Sequence, residues 1–366
     1  MSAALRDGRA PCAMVMAGGT GGHIFPGLAL AEALRERGWR VHWFGGKGTA
    51  QRPSMESQLV PARGLPFDAI DFGGLRGKGL LTAALLPMRL LLGFGQSIAL
   101  LRRIRPDVVI GLGGYITFPG GMMSVLLGKP LVLHEQNSVA GLANRVLAEV
   151  ADRVYTAFPG VLKKAQWVGN PLRAAFLSQP VPAQRFAGRS GPLRLLVLGG
   201  SLGAQALNEA VPQALALLAP AQRPQVLHQS GAGHLEALQA RYREAGVQAE
   251  LTAFIEDTAA ALAQADLVIC RAGASTVTEV AAIGVAAVFV PFPHAVDDHQ
   301  SRNAMHLVQA GGGWLMPQHT LTAAALAELL AQLDRAQLLQ RASAAKALEK
   351  TEATEVLVRA CEELVA

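Results

Sequence analysis

Cysteine is scarce: 366 residues hold three, Cys12, Cys270 and Cys361, odd in number and far apart. That excludes a disulfide framework and any CxxC metal site, and it fits a reducing compartment. Charge is also scarce. Asp, Glu, Lys and Arg make up 16% of the chain, against ~25% in an average soluble domain. A chain so poorly charged has large buried strands or a surface that meets something apolar. No acid occurs between residues 73 and 105. Residues 1–11 (MSAALRDGRAP) are short and polar, and the apolar run after them ends at once in glycines, so no secretory leader is expected and the cytosol is the expected location.

Hydrophobic residues are 51% of the chain, ample to offset the ordering entropy, which excludes a disordered protein. The length exceeds one ordinary core and suggests two domains at roughly 100–200 residues each. The net charge of +6 is unevenly spread: residues 1–170 carry 19 Lys/Arg against 10 Asp/Glu, and residues 171–366 carry 14 against 17. A basic first half points to an anionic partner, with nucleic acid and anionic membrane both fitting that balance.

Short apolar runs alternate with helical patterns in each half. Strands are expected at 13–17, 41–44, 108–110, 131–133 and 154–155, with a helix over 24–37. After a turn-rich break at 188–192 (GRSGP) the pattern restarts, with strands at 193–198, 225–228, 251–254, 267–269 and 287–290 and a helix over 204–218. Strands alternating with helices mean parallel sheets covered on both faces. The expected fold is therefore α/β, two tandem Rossmann-like domains. The joint is expected between Gly169 and Pro192, and residues 321–366 read as helical.

Each half opens with a strand, a glycine-rich turn and a helix: Gly18-Gly19-Thr20-Gly21-Gly22-His23 in the first, Gly199-Gly200-Ser201-Leu202-Gly203-Ala204 in the second. Such turns let backbone N–H groups and a helix N-terminus face an anion at close range. Neither is a Walker loop, and neither fits the dinucleotide fingerprint. Two of them, each at the head of its own unit, point to phosphate binding. A third group, Gly111-Leu112-Gly113-Gly114-Tyr115, also follows a strand and reads equally as a sharp turn. His134-Glu135-Gln136-Asn137 closes a strand, and two readings stand beside a role in the site: Asn137 as an N-cap, or His134 and Glu135 buried and bonded to each other. After the strand at 267–269, the small residues 272–276 and a helix beginning near Ser275 suit a phosphate, and Glu279 suits a sugar diol. The loop with His294, Asp297, Asp298, His299 and Gln300 lacks the spacing of a zinc site, so no metal is expected there. Hydrogen bonding to sugar hydroxyls is the better use of His299 and Gln300.

Together these motifs resemble the MurG family, the N-acetylglucosaminyltransferases of bacterial peptidoglycan synthesis. GGTGGH at 18–23, FPGLA at 25–29, GLRGKG at 74–79, GGY at 113–115, HEQN at 134–137, GNP with Arg173, GGSLGA at 199–204 and the segments 270–279 and 297–304 occur in the family's order. The resemblance covers residues 13 to about 310 and implies a GT-B fold with an inter-domain cleft. Its expected division is 1–173 for acceptor and membrane, 174–348 for UDP-GlcNAc, and 349–366 as a C-terminal helix packing back on the first domain. It implies an inverting transfer of N-acetylglucosamine from UDP-GlcNAc to the 4-hydroxyl of the muramoyl sugar of lipid I, the undecaprenyl-pyrophosphoryl-MurNAc-pentapeptide, giving lipid II and UDP, with no cofactor and no nucleic-acid partner. Other GT-B enzymes, a diacylglycerol glycosyltransferase or a UDP-GlcNAc 2-epimerase, are the alternatives.

By this resemblance Arg173, Ser201, Ile255, Ala274, Ser275, Thr276, Val277, Thr278, Glu279 and either His299 or Gln300 match donor-binding positions. Thr20, Gly21, Gly22 and Asn137 match positions that close over donor sugar and acceptor, and Gly18, Gly19, Gly113, Gly114 and Tyr115 are candidates for the acceptor pyrophosphate. An in-line displacement needs a general base for the acceptor hydroxyl. His23 is the first choice and Glu135 the reserve.

The acid-free stretch holds Arg76, Lys78, Arg89, Arg102, Arg103 and Arg105 around an apolar run, 80–101, that includes Leu80, Leu81 and Leu85. By length it could span a bilayer, but Pro87, Arg89, Gly93, Gly95, Gln96 and Ser97 interrupt it. An apolar surface ringed by cations suits an anionic membrane. A peripheral protein on the cytoplasmic face of the inner membrane is therefore expected.

Overall fold

Residues 12–16 (CAMVM) are apolar without alternation, and they form a strand buried along its whole length, β1 (Cys12–Met16). The computed structural model describes residues 9–48, 53–72, 85–200 and 203–366, the side chain of Val296 excepted. The membrane candidates Arg76, Lys78, Leu80 and Leu81 and the donor candidate Ser201 lie outside the described residues.

The chain divides into two compact units, one reaching to Arg173 and taking up Thr351–Ala366 again, the other Ala174–Lys350. In the first, β1 is joined by β2 (Arg40–Gly46), β3 (Phe67–Ile70), β4 (Val108–Gly111), β5 (Leu131–Glu135), β6 (Arg153–Thr156) and β7 (Gln166–Trp167). All pair in parallel, in the order β3-β2-β1-β4-β5-β6-β7. The second unit pairs β8 (Arg194–Leu198), β9 (Gln225–Gln229), β10 (Glu250–Thr252), β11 (Leu267–Cys270), β12 (Ala286–Phe289) and β13 (Gly313–Leu315) in the order β10-β9-β8-β11-β12-β13, also parallel. Strand order reverses between β1 and β4 in one sheet and between β8 and β11 in the other. Open parallel sheets bind ligands at the carboxyl ends of the strands at such a switch point, and in both units a glycine turn leaves there.

The C-terminal helix Ala353–Val365 completes the first core. It buries Leu357, Val358 and Cys361 with Leu30 and Leu34 of the helix Gly21–Glu36. Arg37, just past that helix, reaches Glu355 at 2.6 Å and Glu362 at 3.2 Å. The helix Leu86–Ile104 buries Gly93, Ser97 and Leu101, a stripe at i, i+4, i+8, and turns Met88, Leu91 and Leu92 outward, 54%, 70% and 57% exposed. Among the described residues no helix is long and apolar enough to cross a membrane.

Each unit buries one histidine, and burial keeps it neutral. His228 on β9 lies between the Tyr242 hydroxyl (2.9 Å) and Asn208 Oδ1 (3.1 Å), and burial pushes its pKa down to about 3. His134 on β5 is fully buried, and chiefly for that reason its pKa is pushed down to about 4. Below pH ~6.5 the unfolded chain binds a proton at each site that the folded chain refuses, so stability falls as pH falls. Urea unfolding should therefore show each unit about 2 kcal/mol less stable at pH 5 than at pH 7, from ~1.4 kcal/mol per pH unit per histidine. Equal midpoints at the two pH values would contradict the buried neutral assignment.

Candidate functional site

In the first unit the sheet's switch point gathers three segments that are far apart in the chain. Gly19 turns the backbone at φ +94°, Thr20 leaves it extended, and the helix starts at Gly21, with the His23 and Ile24 N–H groups donating to Thr20 O. The 111–115 turn packs against it backbone to backbone: a Cβ on Gly114 would stand 2.4 Å from Gly18 O. Gly113, at φ +95°, has no room either, since a Cβ there would lie 2.7 Å from His23 Nδ1. The helix Gly21–Glu36 has neither a side-chain cap nor an acid in its first turn, which leaves its positive end for a ligand.

The HEQN segment splits its residues among separate tasks. His134 and Glu135 end β5 and are buried, but they are not bonded to each other. His134 Nε2 lies 2.8 Å from Gly169 O. Glu135 Oε1 accepts from Asn137 N at 2.9 Å, and Oε2 accepts from Asn144 Nδ2 at 2.8 Å and Gly141 N at 3.3 Å. Asn137 is not an N-cap, because the next helix, Leu142–Leu147, begins after Gly141. Gln136, which sequence reasoning passed over, makes the link to the glycine turn: its Oε1 is 2.8 Å from His23 Nδ1.

A second residue was also overlooked. Glu56, fully buried on the helix Met55–Ala62, accepts from Gly46 N at 3.1 Å and from Gly19 N at 3.4 Å. It ties down the first glycine turn from behind, and a Cβ on Gly18 would strike it at 2.6 Å. The Gly19 amide is thus already engaged by a carboxylate. Tyr115 lies beside this group, its hydroxyl pKa raised by burial and then by the Glu56 charge. The structure puts Arg173 in the first unit, its guanidinium 5.7 Å from the Phe25 ring centre.

In the second unit Gly199, Gly200 and Gly203 follow β8 into the helix Gln205–Leu217. Gly203, at φ +78°, leaves no space for a side chain: a Cβ would sit 2.3 Å from Ser230 O. Across the switch point, Gly273 leads into the helix Ala274–Ile283, whose first turn has no side-chain cap and no acid. Ser275 Oγ in that turn is buried and has no partner among the described residues. A buried hydroxyl at an open helix N-terminus is costly unless a ligand meets it. Glu279 follows one turn later on the same face, and its charge helps raise the buried Cys270 thiol pKa, after burial itself.

Gln300 and His299, the two candidates for one sugar contact, stand side by side at the start of one helix. Gln300 Oε1 accepts from Phe292 N at 2.9 Å and Ala272 N at 3.3 Å, so it clamps the loops after β11 and β12 together. Asn303 adds a bond from Nδ2 to Ala272 O at 3.2 Å. His299 opens the helix His299–Gln309 after Asp297 and Asp298, both at positive φ. Ile255 is half-buried just past β10. Among the described residues, no group of three metal-ligating side chains comes together.

The glycosyltransferase family 28 N-terminal domain matches residues 13–156, and the family's C-terminal domain matches residues 194–357. A protein of Polaromonas sp. (strain JS666 / ATCC BAA-500) is 70% identical over 352 residues, 96% of this chain and 91% of that one. Another from Polaromonas naphthalenivorans is 70% identical over 97% of this chain and 99% of its own length. Both are named UDP-N-acetylglucosamine–N-acetylmuramyl-(pentapeptide) pyrophosphoryl-undecaprenol N-acetylglucosamine transferase. Among solved structures, Acinetobacter baumannii MurG superposes with a TM-score of 0.84 at 39% identity, covering 96% of this chain and 99% of its own. The kitacinnamycin glycosyltransferase, at 18% identity and a TM-score of 0.70, shares the fold.

Proposed function

The chain belongs to the MurG family of glycosyltransferases, and from that premise we propose that it moves N-acetylglucosamine from UDP-GlcNAc to the 4-hydroxyl of the muramoyl sugar of lipid I, releasing lipid II and UDP. The observation that carries this reading is the 70% identity, over nearly the whole of both chains, to transferases named for that reaction. It fits the GT-B architecture of two Rossmann-like units, each with a glycine turn at its switch point.

The second unit holds the donor. UDP departs as an anion, and the uncapped N-terminus at Ala274, with the unpartnered Ser275 hydroxyl, is placed to receive its phosphates. Glu279 takes hydrogen bonds from a diol of the nucleotide sugar, and Gln300, its oxygen committed to the two loops, offers its amide N–H groups. Glu279→Ala should weaken UDP-GlcNAc binding by about 1.5–3 kcal/mol, the scale of hydrogen bonds to a charged group. Calorimetry showing unchanged donor affinity would take Glu279 out of the site.

The first unit holds the acceptor and the base. Glu135 spends both carboxylate oxygens on the bend after β5, so His23 takes the proton. The hydroxyl attacks the anomeric carbon as the bond to UDP breaks, and the proton passes to His23 as the new bond forms. Thr20, Gly21, Gly22 and the 113–115 turn surround it. Mass analysis after incubation with UDP-GlcNAc and a short-chain lipid I analogue should show one N-acetylhexosamine added per acceptor. An epimerised donor with the acceptor untouched would favour the epimerase alternative and sink this reading.

The enzyme works as a peripheral protein on the cytoplasmic face of the membrane that carries its lipid-linked acceptor. Leu85, Met88, Leu91 and Leu92 are exposed along one helix, and Arg89 and Arg102 accompany them without an acid on that helix. Apolar area and cations act together on an anionic bilayer, at about 1 kcal/mol per cation. Reversing Arg89 and Arg102 to glutamate should weaken binding to anionic vesicles and slow turnover on vesicle-borne lipid I, with little change on a soluble acceptor. Equal losses on both acceptors would place these arginines in the catalytic machinery instead.

A further inference from the structure

The histidine proposed as base does not stand alone. It begins a chain of hydrogen bonds that runs into the core and ends on a backbone carbonyl. Gly169 O can only accept, so the 2.8 Å contact from His134 Nε2 puts a proton on that nitrogen. His134 is fully buried and neutral, its pKa pushed down to about 4, so its Nδ1 is a bare acceptor. Gln136 Nε2 lies 3.0 Å from that Nδ1 and 3.2 Å from His134 O, and two acceptors on one side fix which end of the amide is nitrogen. The amide oxygen then faces outward, 2.8 Å from His23 Nδ1. An amide oxygen cannot donate, so the proton in that contact belongs to His23.

We infer that Gln136, oriented by His134, is a positioning residue that holds His23 in the tautomer with its proton on Nδ1 and its Nε2 bare to receive the acceptor's proton. The inference rests on the reading of His23 as base. It assigns Gln136 the role that a carboxylate plays for the histidine of a hydrolytic triad, with one difference: a neutral amide fixes the tautomer without adding charge. Two further features serve the same geometry. Gly113 leaves the space that the His23–Gln136 pair fills, since a Cβ there would stand 2.7 Å from His23 Nδ1 and 3.2 Å from Gln136 Oε1. Gly113 O accepts from Thr117 Oγ1 at 2.8 Å, which holds that turn in place.

The test is nitrogen NMR of the full-length protein carrying ¹⁵N-histidine, with the His23 signals identified by their loss in His23→Gln. Wild-type His23 should show a protonated Nδ1 and an unprotonated Nε2. In Gln136→Met, which keeps the size but removes the acceptor, the Nε2–H form should appear. Turnover should then fall about tenfold or more while the KM for UDP-GlcNAc stays within about twofold, the split expected of a group that acts in the transition state. Gln136→Glu keeps an acceptor toward His23 and, with a proton on the oxygen that faces His134, should retain the Nδ1–H form and recover part of the lost turnover.

A wild-type His23 protonated on Nε2 overturns the inference without any variant. So does Gln136→Met with wild-type turnover, or with slowed turnover and an unchanged tautomer. Failure of the underlying reading looks different: His23→Gln would itself turn over at a near-normal rate, whatever the tautomer.

Discussion

Substituting alanine for His23 should lower turnover by about a hundredfold or more while donor affinity stays nearly intact. The loss is confined to the chemical step because the residue sits in the first unit, on the first turn of the helix Gly21–Glu36, whereas the proposed contacts of Ser275, Glu279 and Gln300 with the donor belong to the second. Its neighbours leave no obvious substitute. The carboxylate of Glu135 is engaged by Asn137, Gly141 and Asn144, and Glu56 is engaged by two backbone amides. Steady-state kinetics with saturating donor measure the effect. Turnover within a few-fold of wild type would move the base elsewhere.

Gly113→Ala should be nearly as damaging, although it adds only a methyl group. The residue is at φ +95°, a conformation that side chains resist, and the new Cβ would meet His23 Nδ1 at 2.7 Å. The backbone strain should cost about 1–3 kcal/mol of stability. The larger effect is on turnover, because the ring must leave Gln136 to make room. Combining Gly113→Ala with His23→Ala should slow the enzyme no further than His23→Ala alone, since both act through one contact. A fully additive double variant would separate the glycine from the histidine.

Much of the fold was legible because the central strands are buried on both faces and read as unbroken apolar runs. β1, β4, β8 and β11 appear in the sequence for that reason. β7 and β13 stand at sheet edges and β3 at the other end of the first sheet, with only two to four residues each, too short for any periodicity to speak. The first helix starts at Gly21, three residues before the expected point, because the glycine turn passes straight into helical geometry.

The glycine turns announced the switch points, but not what holds them. Glu56 is an unremarkable acid in the segment MESQLVPA, and its burial comes from Gly46 and Gly19, 10 and 37 residues away. Gln136 meets His23 across 113 residues. One clue was present, a polar quartet placed directly after LVL at 131–133, where a buried strand end demands that every polar atom find a partner. The quartet stands out in the sequence, but its partners His23 and Gly169 lie 113 and 35 residues away along the chain.

The most direct test of the central claim is the anomeric configuration and linkage of the product made from UDP-GlcNAc and a lipid I analogue, read by NMR after release of the disaccharide. Direct displacement with His23 as base predicts a β-linked N-acetylglucosamine on the 4-hydroxyl of the muramoyl sugar. An α linkage, attachment at another hydroxyl, or free N-acetylglucosamine with the acceptor unchanged would contradict it.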